Sequence, residues 1–191
     1  MVIVPIKEQC SVVQQSKENV RLNLGCGDKI LDGYINVDVV ESRAGKKPDI
    51  LCDLHNLNIF HDNYADEILS VHVIEHFWQW EAADILKEWI RVLKPGGKMI
   101  IECPNLISAA KEFLKNADLA AQGGREGQRS MWVFYGDPAW KDPYMIHRWG
   151  YTPLSLAKLM FECGLENIKQ EPAQYKLREP RDMRITGVKK L

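Results

Sequence analysis

Two groups of residues have the types and spacing to do chemistry. The first is Asn23-Leu24-Gly25-Cys26-Gly27-Asp28, directly after the apolar run VRLNL. Gly25 and Gly27 lack a Cβ, so the chain can turn sharply and present bare backbone amides to a ligand at close range. A G-x-G pair alone is also an ordinary tight turn. The acids in the next two runs add weight: the second strand-like run carries Asp38, suited to accept hydrogen bonds from two ribose hydroxyls, and the third ends at Cys52-Asp53-Leu54. The plain alternatives are a solvated strand-end carboxylate for Asp38 and a turn cap for Asp53.

The second group is His72-Val73-Ile74-Glu75-His76, which spells H-x-x-E-H. In zinc peptidases that string lies in a helix, with two His ligands, a third ligand elsewhere and the Glu as base. Here it begins within an apolar strand-like run, so no metal site is expected. At the carboxyl end of a strand, His76 or His72 has the pKa range to take a proton from a hydroxyl. His147, beside Arg148 and Trp149, is the other candidate base. The bland alternative is that Glu75 and His76 brace the next turn. Arg125 and Arg129 flank a glycine-rich loop and would suit an anion, though such pairs are usually solvated.

These residues need elements to position them. Val20 to Leu24, Tyr34 to Val40, Ile50 to Cys52, Glu67 to Val73 and Lys98 to Glu102 are apolar or β-branched runs of strand length. Their apolar character suits parallel strands covered on both faces. Ala82, Ile85, Leu86, Trp89, Ile90 and Leu93 recur with helical spacing and predict one helix, ended by Lys94-Pro95-Gly96-Gly97. Thr152 as N-cap, Pro153 at the first helical position and Gly164 as stop predict another, with Leu156, Leu159, Met160 and Cys163 on one face. Two further runs, Glu166 to Gln174 and Asp182 to Lys189, predict an antiparallel pair at the sheet edge. Between Pro104 and Gly150 a helix from Leu106 to about Ala121 precedes a loop and an aromatic segment. Trp132, Tyr135, Trp140, Tyr144 and Trp149 there would either line an acceptor pocket or form the core of a lid.

Composition bounds the function. The 191 residues hold 25 Lys+Arg against 26 Asp+Glu, a formal charge of −1, which argues against a module built to neutralise nucleic-acid phosphates. At 46% hydrophobic and 27% charged the chain has a globular composition. Five cysteines without a C-x-x-C pair read as reduced thiols of a cytoplasmic protein. The start lacks a signal-peptide core, and no run approaches the ~18 apolar residues of a membrane span. A dinucleotide site fits poorly. It wants a third glycine three residues after the second and an acid about 20 residues on, whereas Ile30 occupies the first position and Asp38 comes too early. The link between the first two strands is also shorter than an ordinary parallel crossover.

Taken in order, LNLGCG, YINVDV, CDL, DEILSVHVIEHF and RVLKPGGKMII resemble the successive motifs of the class I S-adenosylmethionine-dependent methyltransferases. Within that class they are similar to the compact methyltransferase-11-like branch, over roughly Val20 to Glu102. The later HRWGYTPLSLAKLMFECGLENI is similar to that branch's next helix and strand. The resemblance implies a Rossmann-like α/β fold: a seven-stranded, mainly parallel sheet with an antiparallel last strand, helices on both faces and a lid insertion after the fifth strand. It implies a single methyltransferase domain over 1–191, with an N-terminal extension at 1–19 and the insertion at 104–150. Gly25, Cys26 and Gly27 would line the methionine and ribose of the cofactor, Asp38 the ribose, Asp53 and Leu54 the adenine, and Val71 and His72 the methionyl end. Two positions depart from the family pattern. Asn23 stands where an acid is usual and Lys29 where a third glycine is usual, although an amide oxygen still accepts from the cofactor's ammonium. The implied reaction is methyl transfer to an O or N nucleophile of a small molecule, a saccharide being the first candidate. A non-catalytic cofactor-binding protein and an NAD(P)-dependent oxidoreductase are the alternatives.

Overall fold

Leu22, Asn23 and Leu24 of β1 (Arg21–Leu24) are all buried, as a strand covered on both faces requires. The computed structural model describes residues 19–41, 45–115, 117–118, 131–175 and 181–191. Most of the expected N-terminal extension, Arg125, Arg129 and the predicted end of the helix near Ala121 lie outside the described residues.

β1 is central in a seven-stranded sheet. On one side lie β2 (Ile35–Asp38) and β3 (Ile50–Leu51). On the other lie β4 (Ala65–Val71), β5 (Leu93–Pro104), β7 (Asp182–Lys189) and, at the edge, β6 (Leu165–Glu171). The pairs among β1 to β5 are parallel, and β7 runs antiparallel to both of its neighbours. The sheet is therefore the expected one, with the last strand inserted between β5 and β6. The order reverses at β1, between β2 and β4, which opens a crevice beyond the carboxyl ends of those strands.

The predicted apolar stripe forms α1 (Ala82–Val92), which buries Ile85, Leu86 and Trp89 against one face of the sheet. The Trp89 indole donates to the Leu54 carbonyl at 2.9 Å and so pins the chain leaving β3. After β5 comes α2 (Leu106–Lys115). The Thr152 signal marks the start of α3 (Pro153–Glu162): Thr152 Oγ1 accepts from the Ser155 amide at 3.1 Å and Ser155 Oγ accepts from the Thr152 amide at 2.9 Å, a reciprocal cap. Leu156 and Met160 of α3 join the same core as Trp89. Across the sheet a smaller cluster of Leu69, Val71 and Ile100 packs against Leu31, Tyr34 and Tyr175.

Several boundaries differ from those expected from the sequence: β2 is shorter than Tyr34 to Val40, β5 is longer than Lys98 to Glu102, and β6 ends before Gln174. The expected strand Glu67 to Val73 begins at Ala65 and ends at Val71. His72 then takes a left-handed backbone, φ 57°, and Ile74–His76 form a 3-10 turn, so H-x-x-E-H straddles a strand exit rather than starting within the strand.

The short crossover from β1 to β2 contains no helix; a buried side chain holds it instead. Asn36 Oδ1 accepts from Asn23 Nδ2 and from the Leu31 amide, both at 2.9 Å. Its Nδ2 faces the Leu31 and Tyr34 carbonyls at 3.2 Å and Asp49 Oδ2 at 2.9 Å. Asn23 Nδ2 also donates to the Lys29 carbonyl at 2.8 Å. The amide at position 23 thus supplies two donors, which an ionised acid lacks. We expect Asn23→Asp, although it restores the family's usual residue type, to destabilise the fold by about 1–3 kcal/mol, because it leaves the Lys29 carbonyl unpaired and sets an acceptor against Asn36 Oδ1. Urea denaturation of the variant against the parent chain checks this.

Candidate active site

The glycine turn is built by β1 and β2 together. The amides of Gly25 and Cys26 donate to the Val37 carbonyl at 2.8 and 3.1 Å, and the Gly27 amide donates to Asp38 Oδ2 at 2.7 Å. Gly25 sits at φ 70° and a Cβ there would overlap the Val73 side chain, so both backbone angle and space demand glycine. Asp38 Oδ1 accepts from the Val40 amide at 3.0 Å, which fixes the carboxylate at the mouth of the turn. Lys29, the second departure, reaches across the fold: its ammonium donates to the Tyr175 carbonyl and lies 5.3 Å from the Tyr175 ring.

These residues line a crevice of about 440 Å³, a volume typical of small-molecule sites. Every residue assigned from the sequence is on its wall: Asn23, Gly25, Cys26, Gly27, Asp38, Asp53, Leu54, Val71, His72, His76 and His147. Asp53 is an exposed acid of this wall. Its Oδ1 accepts from the His55 amide at 3.0 Å and lies 2.7 Å from His55 Nδ1, so it also makes the turn that its plain alternative describes. The aromatic segment divides: Trp132, Trp140 and Tyr144 reach the crevice, whereas Tyr135 and Trp149 do not line it. Trp78 and Trp80 stack on each other at the surface, with centroids 4.9 Å apart.

The three histidines have distinct surroundings. His72 is wedged between two buried carboxylates, with Nδ1 3.1 Å from Glu75 Oε1 and Nε2 3.3 Å from Asp182 Oδ2. Both of its ring nitrogens thus face acids of this chain, which makes it a positioning residue more readily than a base for a substrate. His76 Nδ1 lies 3.0 Å from the Ile146 carbonyl and His147 Nδ1 2.8 Å from the Val133 carbonyl. A carbonyl only accepts, so each Nδ1 carries a hydrogen and donates it. The two rings meet edge to face at 4.9 Å. Burial lowers the His76 pKa, and Glu75 only partly opposes it, so the ring is uncharged at neutral pH. Burial alone would raise the Glu75 carboxyl, but His72, His76 and His147 around it hold it down at about 2.

Sequence reasoning missed the supports behind this wall. Glu102, fully buried on β5, accepts from the amides of Gln174 and Tyr175 at 2.8 and 2.9 Å and from Arg184 Nη1 at 2.8 Å. It thereby fixes the segment that Lys29 touches. Asp182 and Arg181, paired at 3.0 Å, hold the His72 side of the crevice. Only the charge of these residues inside apolar strands hinted at such roles.

Residues 22–101 match the family described as a methyltransferase domain. Among solved structures, an S-adenosylmethionine-dependent methyltransferase from Archaeoglobus fulgidus is 18% identical, with a TM-score of 0.61 over 96% of this chain and 92% of that one. One from Methanosarcina mazei is also 18% identical, with a TM-score of 0.56 over 100% of both chains. The 1,6-didemethyltoxoflavin-N1-methyltransferase of Burkholderia thailandensis, solved with 1,6-didemethyltoxoflavin and S-adenosylhomocysteine bound, is 14% identical, with a TM-score of 0.61 over 97% of this chain and 78% of that one. At such identities the likeness is one of fold. No curated protein matches the sequence. The matched residues run from β1 into β5, across the glycine turn, and the architecture is the fold that these solved methyltransferases share.

The depressed Glu75 carboxyl has a consequence for stability. A carboxyl held below its unfolded value contributes stability above that value, here near 4.5, and loses it as the pH falls toward about 2. Glu75→Gln should therefore flatten the acid limb of stability across that window, as measured by chemical denaturation at a series of pH values.

Proposed function

We propose that the chain transfers the methyl group of S-adenosylmethionine to an oxygen or nitrogen nucleophile of a small molecule, a saccharide being the first candidate. The observation that carries the reading is that the glycine turn, Asp38 and Asp53 line the same crevice as two histidines whose Nδ1 atoms each face a backbone carbonyl. In this reading Gly25 and Gly27 give backbone access to the methionyl and ribose parts, Asp38 accepts from the ribose hydroxyls, and Asp53 and Leu54 border the adenine. Asn23 has spent both amide hydrogens within the fold, so Oδ1 is what it offers to the cofactor's ammonium. Lys29 and Arg181, on the same wall, bring positive charge toward a carboxylate.

When bound, S-adenosylmethionine supplies a methyl group already activated by its positive sulfur, and the C–S electron pair leaves with S-adenosylhomocysteine. The chain's task is then alignment and, for a hydroxyl, proton removal. Trp132, Trp140 and Tyr144 offer flat apolar faces on which a ring-shaped acceptor lies, as a lid would. Nε2 of His76 or His147 receives the nucleophile's proton, with the ring orientation set by the carbonyl at Nδ1. Among the described residues no helix is long and apolar enough to cross a membrane. Among the described residues Cys26, Cys52, Cys103 and Cys163 form no disulfide, which suits the reducing cytoplasm.

Calorimetry with S-adenosylhomocysteine tests the cofactor half. Asp38→Ala should weaken binding by about 1–3 kcal/mol, and unchanged affinity would remove Asp38 from the site. NAD should produce no thermal shift under conditions where S-adenosylhomocysteine does. For the acceptor half, kcat/KM should fall on the acid side only below the ordinary histidine value of 6.5, because His76 is shifted downward. His76→Gln should abolish that limb if His76 is the base.

A further inference from the structure

The Glu75 carboxylate, a ring nitrogen of His76 and a ring nitrogen of His147 lie within 4.8 Å of one another. From the sequence alone no metal site is expected, because H-x-x-E-H lacks a helix and a third ligand. The fold changes that: the 3-10 turn places Glu75 and His76 side by side, and the segment around 146–149 brings His147 against them. Two independent features point to a ligand. First, the carboxylate of Glu75 is buried, and neither oxygen makes a hydrogen bond among the described residues. His72 Nδ1 lies 3.1 Å from Oε1, at ion-pair distance. Buried carboxyl oxygens without hydrogen bonds are open to a cation as a further partner. Second, His76 and His147 each give Nδ1 to a backbone carbonyl, the supporting contact that orients an imidazole and leaves Nε2 for a metal.

Two imidazoles and one carboxylate are the ligand types that divalent transition ions prefer. Bound at about 2.0–2.2 Å, such ligand atoms stand about 3–3.5 Å apart, so the cluster needs only a small inward closure. We propose that Glu75, His76 and His147 bind one divalent transition-metal ion whose remaining coordination positions face the crevice and take the oxygen of the methyl acceptor. This deepens the methyltransferase reading and rests on it: the acceptor class becomes a hydroxyl compound able to ligate a metal, and the two histidines act as ligands instead of bases. A divalent ion with one carboxylate and two neutral imidazoles carries net positive charge, which acidifies a bound hydroxyl; its proton goes to water and its oxygen remains as the nucleophile.

The test is direct metal binding by the chelator-stripped full chain. Titration with Co²⁺, monitored by calorimetry and visible absorption, should show one ion per chain with the bands of a nitrogen–oxygen site. His147→Gln should weaken that binding about 100-fold or more, beyond the 10–100-fold typical of losing a group that only orients a ligand. Glu75→Gln should do the same, with circular dichroism confirming its fold. His61→Ala, at an exposed imidazole elsewhere, should bind like the parent. No stoichiometric ion, or equal binding by the parent and His147→Gln, overturns the proposal. S-adenosylhomocysteine binding by the metal-free chain is measured in parallel. Its loss in parent protein would defeat the methyltransferase reading, whereas its persistence without metal binding defeats only the cation.

Discussion

The amide pair of Asn23 and Asn36 is the contact on which the rest of the site depends. A parallel crossover normally uses a helix to return the chain, and here the return between β1 and β2 is too short for one. The backbone groups of that link are satisfied by the buried side chain of Asn36, and Asn36 is held in turn by the Asn23 amide. With the link fixed, β2 lies in register with β1, Leu24 opposite Val37, and the Val37 carbonyl can accept from the glycine turn. The cradle is thus an outcome of two neutral amides in the sheet. The same requirement gives a physical reason for the departure at position 23: the position must donate twice, which an ionised acid cannot do.

A second layer of the design is ionic. His72 between Glu75 and Asp182, and Glu102 with Arg184, are buried polar contacts within or just beyond β4, β5 and β7. Such pairs add little net stability, because desolvation offsets most of their attraction. Their contribution is placement. Each is directional, and together they fix where the His72 side of the crevice and the Gln174–Tyr175 segment stand relative to the glycine turn.

Much of this was legible in the sequence because it is periodic or capped. The α1 stripe from Ala82 onward, the Thr152–Pro153 start of α3 and the apolar strands each have a local cause, and the ordered motifs located the crevice residues on their correct strand ends. The boundary of β4 was not legible, since Val73 and Ile74 continue the apolar run while the left-handed turn at His72 has no composition signal. Nothing in YINVDV singles out Asn36, because its bonds go to residues on three separate segments. The meeting of Glu75 with His147 was equally hidden. It depends on a return of the chain about seventy residues later, which no spacing rule reports.

Glu75 also serves through its backbone. Its carbonyl accepts from the amides of Arg148 and Trp149 at 2.8 and 3.2 Å, and Arg148 leans over the Trp78 ring at 5.5 Å. The inner border of the aromatic segment is therefore stitched to the strand exit itself. Trp140 and Tyr144, on its outer border, stay about half exposed. Among the described residues, a segment fastened along one hem and loose along the other leaves its opening on the loose side. Flat, slender molecules pass such a slot more readily than bulky ones, so discrimination by shape begins at the doorway, before any reacting atom is met.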